Sequence, residues 1–161
     1  MVETLPPLDL YGYTIFCDDI RQEVGGKYSY IGAYDGKMFV QGDFPVLLSK
    51  LCLAVTFLQR RELLIANVGL HIFGPEQTEV DTPIIQATFQ EPEEGAVAKQ
   101  TAAASAAEGL PGGQTSYVAM LARIILSPFN IAQPGDLRVR ILRDGKYVRA
   151  GALRIFQVPK A

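Results

Sequence analysis

Leu137-Arg138-Val139-Arg140-Ile141-Leu142-Arg143-Asp144-Gly145-Lys146-Tyr147-Val148-Arg149-Ala150 is the stretch from which the fold can be read. Leu137, Val139 and Ile141 alternate with Arg138 and Arg140. That two-residue period belongs to a strand with one face in an oily interior and the other in water. Asp144-Gly145 follows, a pair that accepts the positive φ angles of a tight hairpin turn. Lys146 to Val158 then returns, with a kink expected at Gly151, because a glycine within a strand marks a bulge or a close backbone approach. Pro134-Gly135 marks the entry. The spacing predicts a β-hairpin with apolar residues inward and arginines outward.

Upstream of the hairpin the same grammar recurs. Tyr11 to Cys17, Tyr28 to Tyr34, Leu51 to Gln59, Asn67 to Phe73, Ile85 to Phe89 and Tyr117 to Leu126 are rich in Val, Ile, Phe, Tyr and Thr and bounded by Gly, Pro, Asp and Asn. Leu51 to Gln59 is apolar on both faces, as in a central strand covered on both sides or one near an edge partner. Lys37 to Val40 reads as a short return strand for Tyr28 to Tyr34 across the Asp35-Gly36 turn. Gln59-Arg60-Arg61-Glu62-Leu63-Leu64 reads either as one helical turn or as a charged strand-to-strand loop. The outlier is Glu91 to Gly113, where seven alanines lie between Ala96 and Ala107. Alanine favours helix, yet no large side chains are present to dock one. An inserted loop or short helix is therefore expected at about 92–113. Seven to nine short strands without long amphipathic helices predict an all-β fold, an antiparallel β-sandwich.

Composition sets the outer bounds. At 161 residues and 17.6 kDa the chain has the size of one domain, expected to span 1–161. Its 48% hydrophobic and 20% charged content suits a packed core rather than a disordered chain. The net charge of −2 offers no global attraction for nucleic acid. No apolar run approaches the roughly 20 residues of a membrane helix, and Met1 to Pro7 lacks the basic and apolar regions of a secretory signal. A cytoplasmic location is expected, with no membrane partner. Cys17 and Cys52 each sit in an apolar stretch and read as small buried side chains rather than as a disulfide.

Ile15-Phe16-Cys17-Asp18-Asp19-Ile20-Arg21-Gln22-Glu23, with Gly26-Lys27 and Ser29-Tyr30-Ile31-Gly32 after it, resembles the opening of a bacterial family of uncharacterised proteins, a domain of unknown function. Phe44-Pro45, Leu48-Ser49-Lys50-Leu51 and the hairpin from Pro134 to Ile155 extend the likeness. The resemblance covers both ends of the chain and implies no activity. The C-terminal half is also similar, at the level of fold, to the last hairpin of immunoglobulin-like sandwiches.

Candidate sites are few. Asp18, Asp19 and Glu23 form the densest acidic cluster, and with Arg21 they are expected to make a structural polar corner. Adjacent aspartates on an extended chain point to opposite sides, which suits a cation loop poorly. His71 is the single histidine, placed on the polar side of an alternating strand, and no nucleophile elbow accompanies it. Two isolated cysteines do not make a zinc site, and Gly25-Gly26 and Gly112-Gly113 lack the Lys-Ser/Thr of a phosphate loop. No cofactor is expected. Charge is distributed unevenly: residues 134–161 hold seven Lys/Arg and two Asp/Glu, +5, leaving −7 for residues 1–133. Arg138, Arg140, Arg143, Lys146 and Arg149 therefore form a candidate basic binding face, or else pair with acids on neighbouring strands. Tyr11, Tyr13, Tyr28, Tyr30 and Tyr34 read either as an exposed recognition surface or as core packing. The expectation is a non-catalytic protein-interaction or assembly module, with an unidentified protein partner or a second copy of the chain. The alternative is a small-ligand or anion binder using Asp18 to Gly26, Asp35 to Phe44 and Gly74 to Thr82. An enzyme would need Asp18, Asp19, Glu23 and His71 to converge.

Overall fold

The computed structural model describes residues 9–63, 68–89 and 117–159. Among them twelve strands follow in chain order. The first six are β1 (Leu10–Cys17), β2 (Asp19–Gln22), β3 (Tyr28–Ile31), β4 (Lys37–Gln41), β5 (Val46–Leu48) and β6 (Leu51–Arg60). After one 3-10 turn, Arg61–Leu63, come β7 (Val68–Phe73), β8 (Ile85–Phe89), β9 (Tyr117–Leu126), β10 (Phe129–Ile131), β11 (Gly135–Arg143) and β12 (Lys146–Val158). The described residues are almost wholly β, as their period-two patterning requires.

Two sheets carry the core. One has the order β1-β6-β9 and is antiparallel; the other has the order β4-β12-β11-β7-β8. Phe16, Leu53, Val55 and Phe57 of the first join Leu70, Ile72, Leu137, Val139, Ile141, Leu153 and Ile155 of the second in a single buried cluster. Burying that many large side chains supplies the main driving force, at about 1.5–3 kcal/mol for each fully buried one. Two-stranded pairs, β2-β3 and β5-β10, complete the described structure.

The C-terminal hairpin forms as its sequence predicts. β11 pairs with β12, and Asp144 and Gly145 turn the chain at φ 50° and 71°. The kink expected at Gly151 is present. Val139 stands opposite Gly151 while Arg140 stands opposite Arg149, so the register slips by one residue there.

Three expectations need correction. The strand count is twelve, because β2, β5 and β10, each of three or four residues, are too short for alternation to be visible in sequence. Pairing is not purely antiparallel: β4 runs parallel to β12, Met38 opposite Ile155 and Val40 opposite Gln157. Nor is β4 the return strand of β3. Gly32, at φ 65°, ends β3, whose partner is β2, and Met38 and Val40 are drawn into the core beside β12. The alanine-rich stretch at 92–113 lies outside the described residues.

Candidate functional site

At the end of β1 the chain turns at Asp18 and re-enters a strand at Asp19, so the two carboxylates diverge. Asp18 Oδ1 accepts a 2.6 Å hydrogen bond from the Tyr34 hydroxyl. Asp19 Oδ1 accepts one of 2.6 Å from Lys50 Nζ, and its Oδ2 one of 3.2 Å from Arg21 Nε. These donors hold the Asp19 carboxyl below its ordinary range, Lys50 contributing most, and the same contact raises Lys50. Burial, then the bond to Asp18, pushes the Tyr34 phenol up to about 12. Asp19 and Arg21 thus meet Lys50 at this corner, while Asp18 turns away to Tyr34. Glu23 stands apart with an exposed side chain, and its amide donates to Lys27 O at 2.8 Å. Lys50 and Tyr34 are the members that sequence reading missed.

The arginines do not form one free basic face. Arg138 sits over the Phe73 ring and donates to Gln77 O, gripping the loop after β7. Arg140 is buried against Glu79 and also donates to Val139 O at 3.0 Å. Arg143 turns the other way, donating to Gln59 Oε1 at 3.1 Å and to Leu63 O at 2.6 Å. Arg154 forms a two-pronged pair with Asp136, both bonds 2.6 Å. Lys146 and Arg149 are exposed. Arg138, Arg140 and Arg143 are thus held by neighbouring segments, because an arginine fork on a sheet face reaches nearby carbonyls and carboxylates.

His71 is buried, contrary to the wet position expected for it. It shares a 2.7 Å hydrogen bond through Nδ1 with the Tyr147 hydroxyl and meets Phe73 and Tyr147 edge to face. Burial lowers its affinity for a proton. It lies on β7 of the five-stranded sheet, whereas Asp18 and Asp19 join β1 to β2, so the described structure does not assemble these residues into one constellation. Among the described residues no group of three or more His, Cys, Asp or Glu is placed to hold a metal ion. No helix among them is long and apolar enough to cross a membrane.

The least expected feature is the outer face of the three-stranded sheet. Phe16, Leu53 and Met120 point into the core, so their neighbours Tyr11, Tyr13, Leu121 and Ile125 point outward. The register aligns Tyr13 with Thr56 and Thr56 with Leu121, and beside them Tyr11 with Leu58 and Leu58 with Ala119. Leu121 is 57% exposed, Ile125 60% and Tyr13 48%. Tyr28 of β3 stacks under the Arg123 guanidinium at 3.4 Å, so the β2-β3 hairpin reaches β9 at one end of this face. The tyrosines divide accordingly: Tyr11, Tyr13 and Tyr30 are exposed, while Tyr28 and Tyr34 are half-buried. Sequence reading gave Tyr117 to Leu126 as a strand but not which face meets water, since both faces carry apolar residues.

Comparison with family models, with curated proteins and with solved structures returns no match to this chain.

Proposed function

We propose that this chain is a non-catalytic assembly module with an immunoglobulin-like β-sandwich architecture that associates with a second copy of itself through the outer face of the β1-β6-β9 sheet. The observation that carries the reading is the exposure of Tyr11 and Tyr13 on β1 and of Leu121 and Ile125 on β9, the two strands that flank β6. Apolar side chains grouped in this way mark interaction surfaces, whereas single exposed ones need no explanation. A twofold contact uses one patch twice, so a self-complementary apolar face suffices. The architecture is supported by one core fed from two sheets and by β11-β12 as a hairpin beside β7. Membership of the bacterial family resembled by the Ile15 to Glu23 opening, and a cytoplasmic location, belong to the same proposal.

The ligand-binding alternative draws less support. Of its three segments, Asp18 to Gly26 is largely β2 and its turn, and Asp35 to Phe44 contains β4. In Gly74 to Thr82, Gln77 and Asp81 spend their polar atoms within the loop, on Gly74 N, Thr82 O and Thr78.

Light scattering after size exclusion, over a range of protein and salt concentrations, tests the proposal. The expected mass is that of a dimer, little affected by salt because the contact is apolar. Leu121→Glu should give a folded monomer whose melting temperature, unlike that of the unaltered chain, does not depend on protein concentration. A monomer at every concentration for the unaltered chain would overturn the reading.

A further inference from the structure

Cys17 and Cys52 stand directly opposite one another on β1 and β6. Both are free and fully buried. The Arg60 amide donates to Asp9 O at 2.8 Å, which makes Asp9 and Arg60 a hydrogen-bonded pair at the far end of this ladder. The register from Leu10 and Gln59 to Cys17 and Cys52 is unbroken, and such pairs recur at every second position, so Cys17 and Cys52 form one too. The Cα atoms of a pair of this kind lie about 5.5 Å apart, within the roughly 4.4–6.8 Å that a disulfide spans. Their Cβ atoms, about 5 Å apart, need to approach to about 4 Å. Both side chains leave the same face of the sheet.

We propose that Cys17 and Cys52 form a reversible cross-strand disulfide when local opening at their end of the β1-β6 ladder admits a small-molecule disulfide such as oxidised glutathione to the buried thiols. Cys52 is the better first nucleophile. Burial raises both thiols, Cys17 to about 11, but the Lys50 ammonium pulls Cys52 back down. The Cys52 thiolate attacks one sulfur of the oxidant, forming a mixed disulfide and releasing one glutathione thiolate. The Cys17 thiolate then attacks the Cys52 sulfur, the mixed S–S bond breaks, and a second glutathione leaves. The protein loses two protons and two electrons; the oxidant gains them and leaves as two thiols. Because the Cβ atoms must be drawn together, the product is strained and easily reduced, the property of a labile rather than a structural bridge.

The experiment is intact-mass analysis of the full chain after incubation with oxidised glutathione and acid quenching, once folded and once unfolded in urea. The folded chain should lose two hydrogens, regain them with dithiothreitol, and show several-fold less glutathione adduct than the unfolded chain, because the ladder holds the second thiol opposite the first. The rate should rise with pH as the thiolate population grows. Cys17→Ser should stop at one adduct. A folded chain that remains a dithiol, or that accumulates adduct to the same extent as the unfolded one, would overturn the proposal. This readout on the unaltered chain stands even if the variant does not fold.

Discussion

Gly12 of β1 and Ala150 of β12 meet so closely that a methyl group on Gly12 would lie 2.9 Å from the Ala150 Cβ. Beside them the Thr14 hydroxyl donates to Ala150 O at 2.7 Å, and a Cβ on Gly151 would lie 2.9 Å from that of Thr14. Here an edge of the three-stranded sheet touches the five-stranded one, and the missing side chains set the approach. The bulge at Gly151 delivers the Ala150 carbonyl to Thr14.

Gly12→Ala should therefore destabilise the fold by about 1–3 kcal/mol, the usual cost of overfilling a packed site. Chemical denaturation measures it, and adding Ala150→Gly should recover part of the loss. An unchanged midpoint for Gly12→Ala would show that the two strands can separate freely.

Gly32 combines φ 65° with a carboxylate neighbour, since a Cβ there would fall 2.1 Å from Asp18 Oδ2. Gly25 and Gly36 also have positive φ but open space around them. Gly25→Ala and Gly36→Ala should each cost about 1–2 kcal/mol, the backbone penalty alone. Gly32→Ala should cost clearly more and, by displacing Asp18, should return the Tyr34 phenol towards its ordinary ionisation range. Ultraviolet titration of tyrosine reads the second effect.

Arg143 and Lys146 flank one turn yet should behave differently. Arg143→Ala leaves the buried Gln59 Oε1 and the Leu63 carbonyl without their donor, a cost of about 1–3 kcal/mol. Lys146→Ala, at an exposed position, should stay within about 0.5 kcal/mol of the unaltered chain. Equal effects in urea denaturation would return Arg143 to a solvent-facing basic patch.

Two limbs should appear in the pH dependence of stability. His71 has a folded-state pKa below its ordinary 6.5, so the unfolded chain takes up the proton first and stability falls as pH drops below about 6.5. Asp19 and Asp136 are held below 3.8, by Lys50 with Arg21 and by Arg154 respectively. What they contribute is present above that value and is lost as pH falls through their lower folded-state values. His71→Gln should flatten the first limb alone, and Asp19→Asn with Asp136→Asn the second, in denaturation midpoints measured across the acid range.

Much of the fold was legible in short segments. The alternation from Leu137 to Ile141, the Asp144-Gly145 turn and the Gly151 bulge involve residues near one another in the chain, where backbone sterics and side-chain period act directly. The divergence of Asp18 from Asp19 was legible for the same reason. Lys50, which meets Asp19, and Tyr34, which meets Asp18, lie far along the chain from their partners, and no local signal identified them. His71 misled because alternation tells which side of a strand a residue takes, not whether a side chain such as Tyr147 covers it there.

By itself, then, the sequence determined that this chain makes short strands, where most of them turn and which side chains seek the interior, because those preferences are set within a few residues by φ, ψ and period. The tertiary structure alone decided that β4 lies parallel to β12, that Arg138, Arg140 and Arg143 are spent inside the molecule, that Cys17 faces Cys52, and that Tyr13 and Leu121 meet water. Each of these depends on register between segments distant in the chain, and register is chosen by how the whole core closes rather than by any one strand.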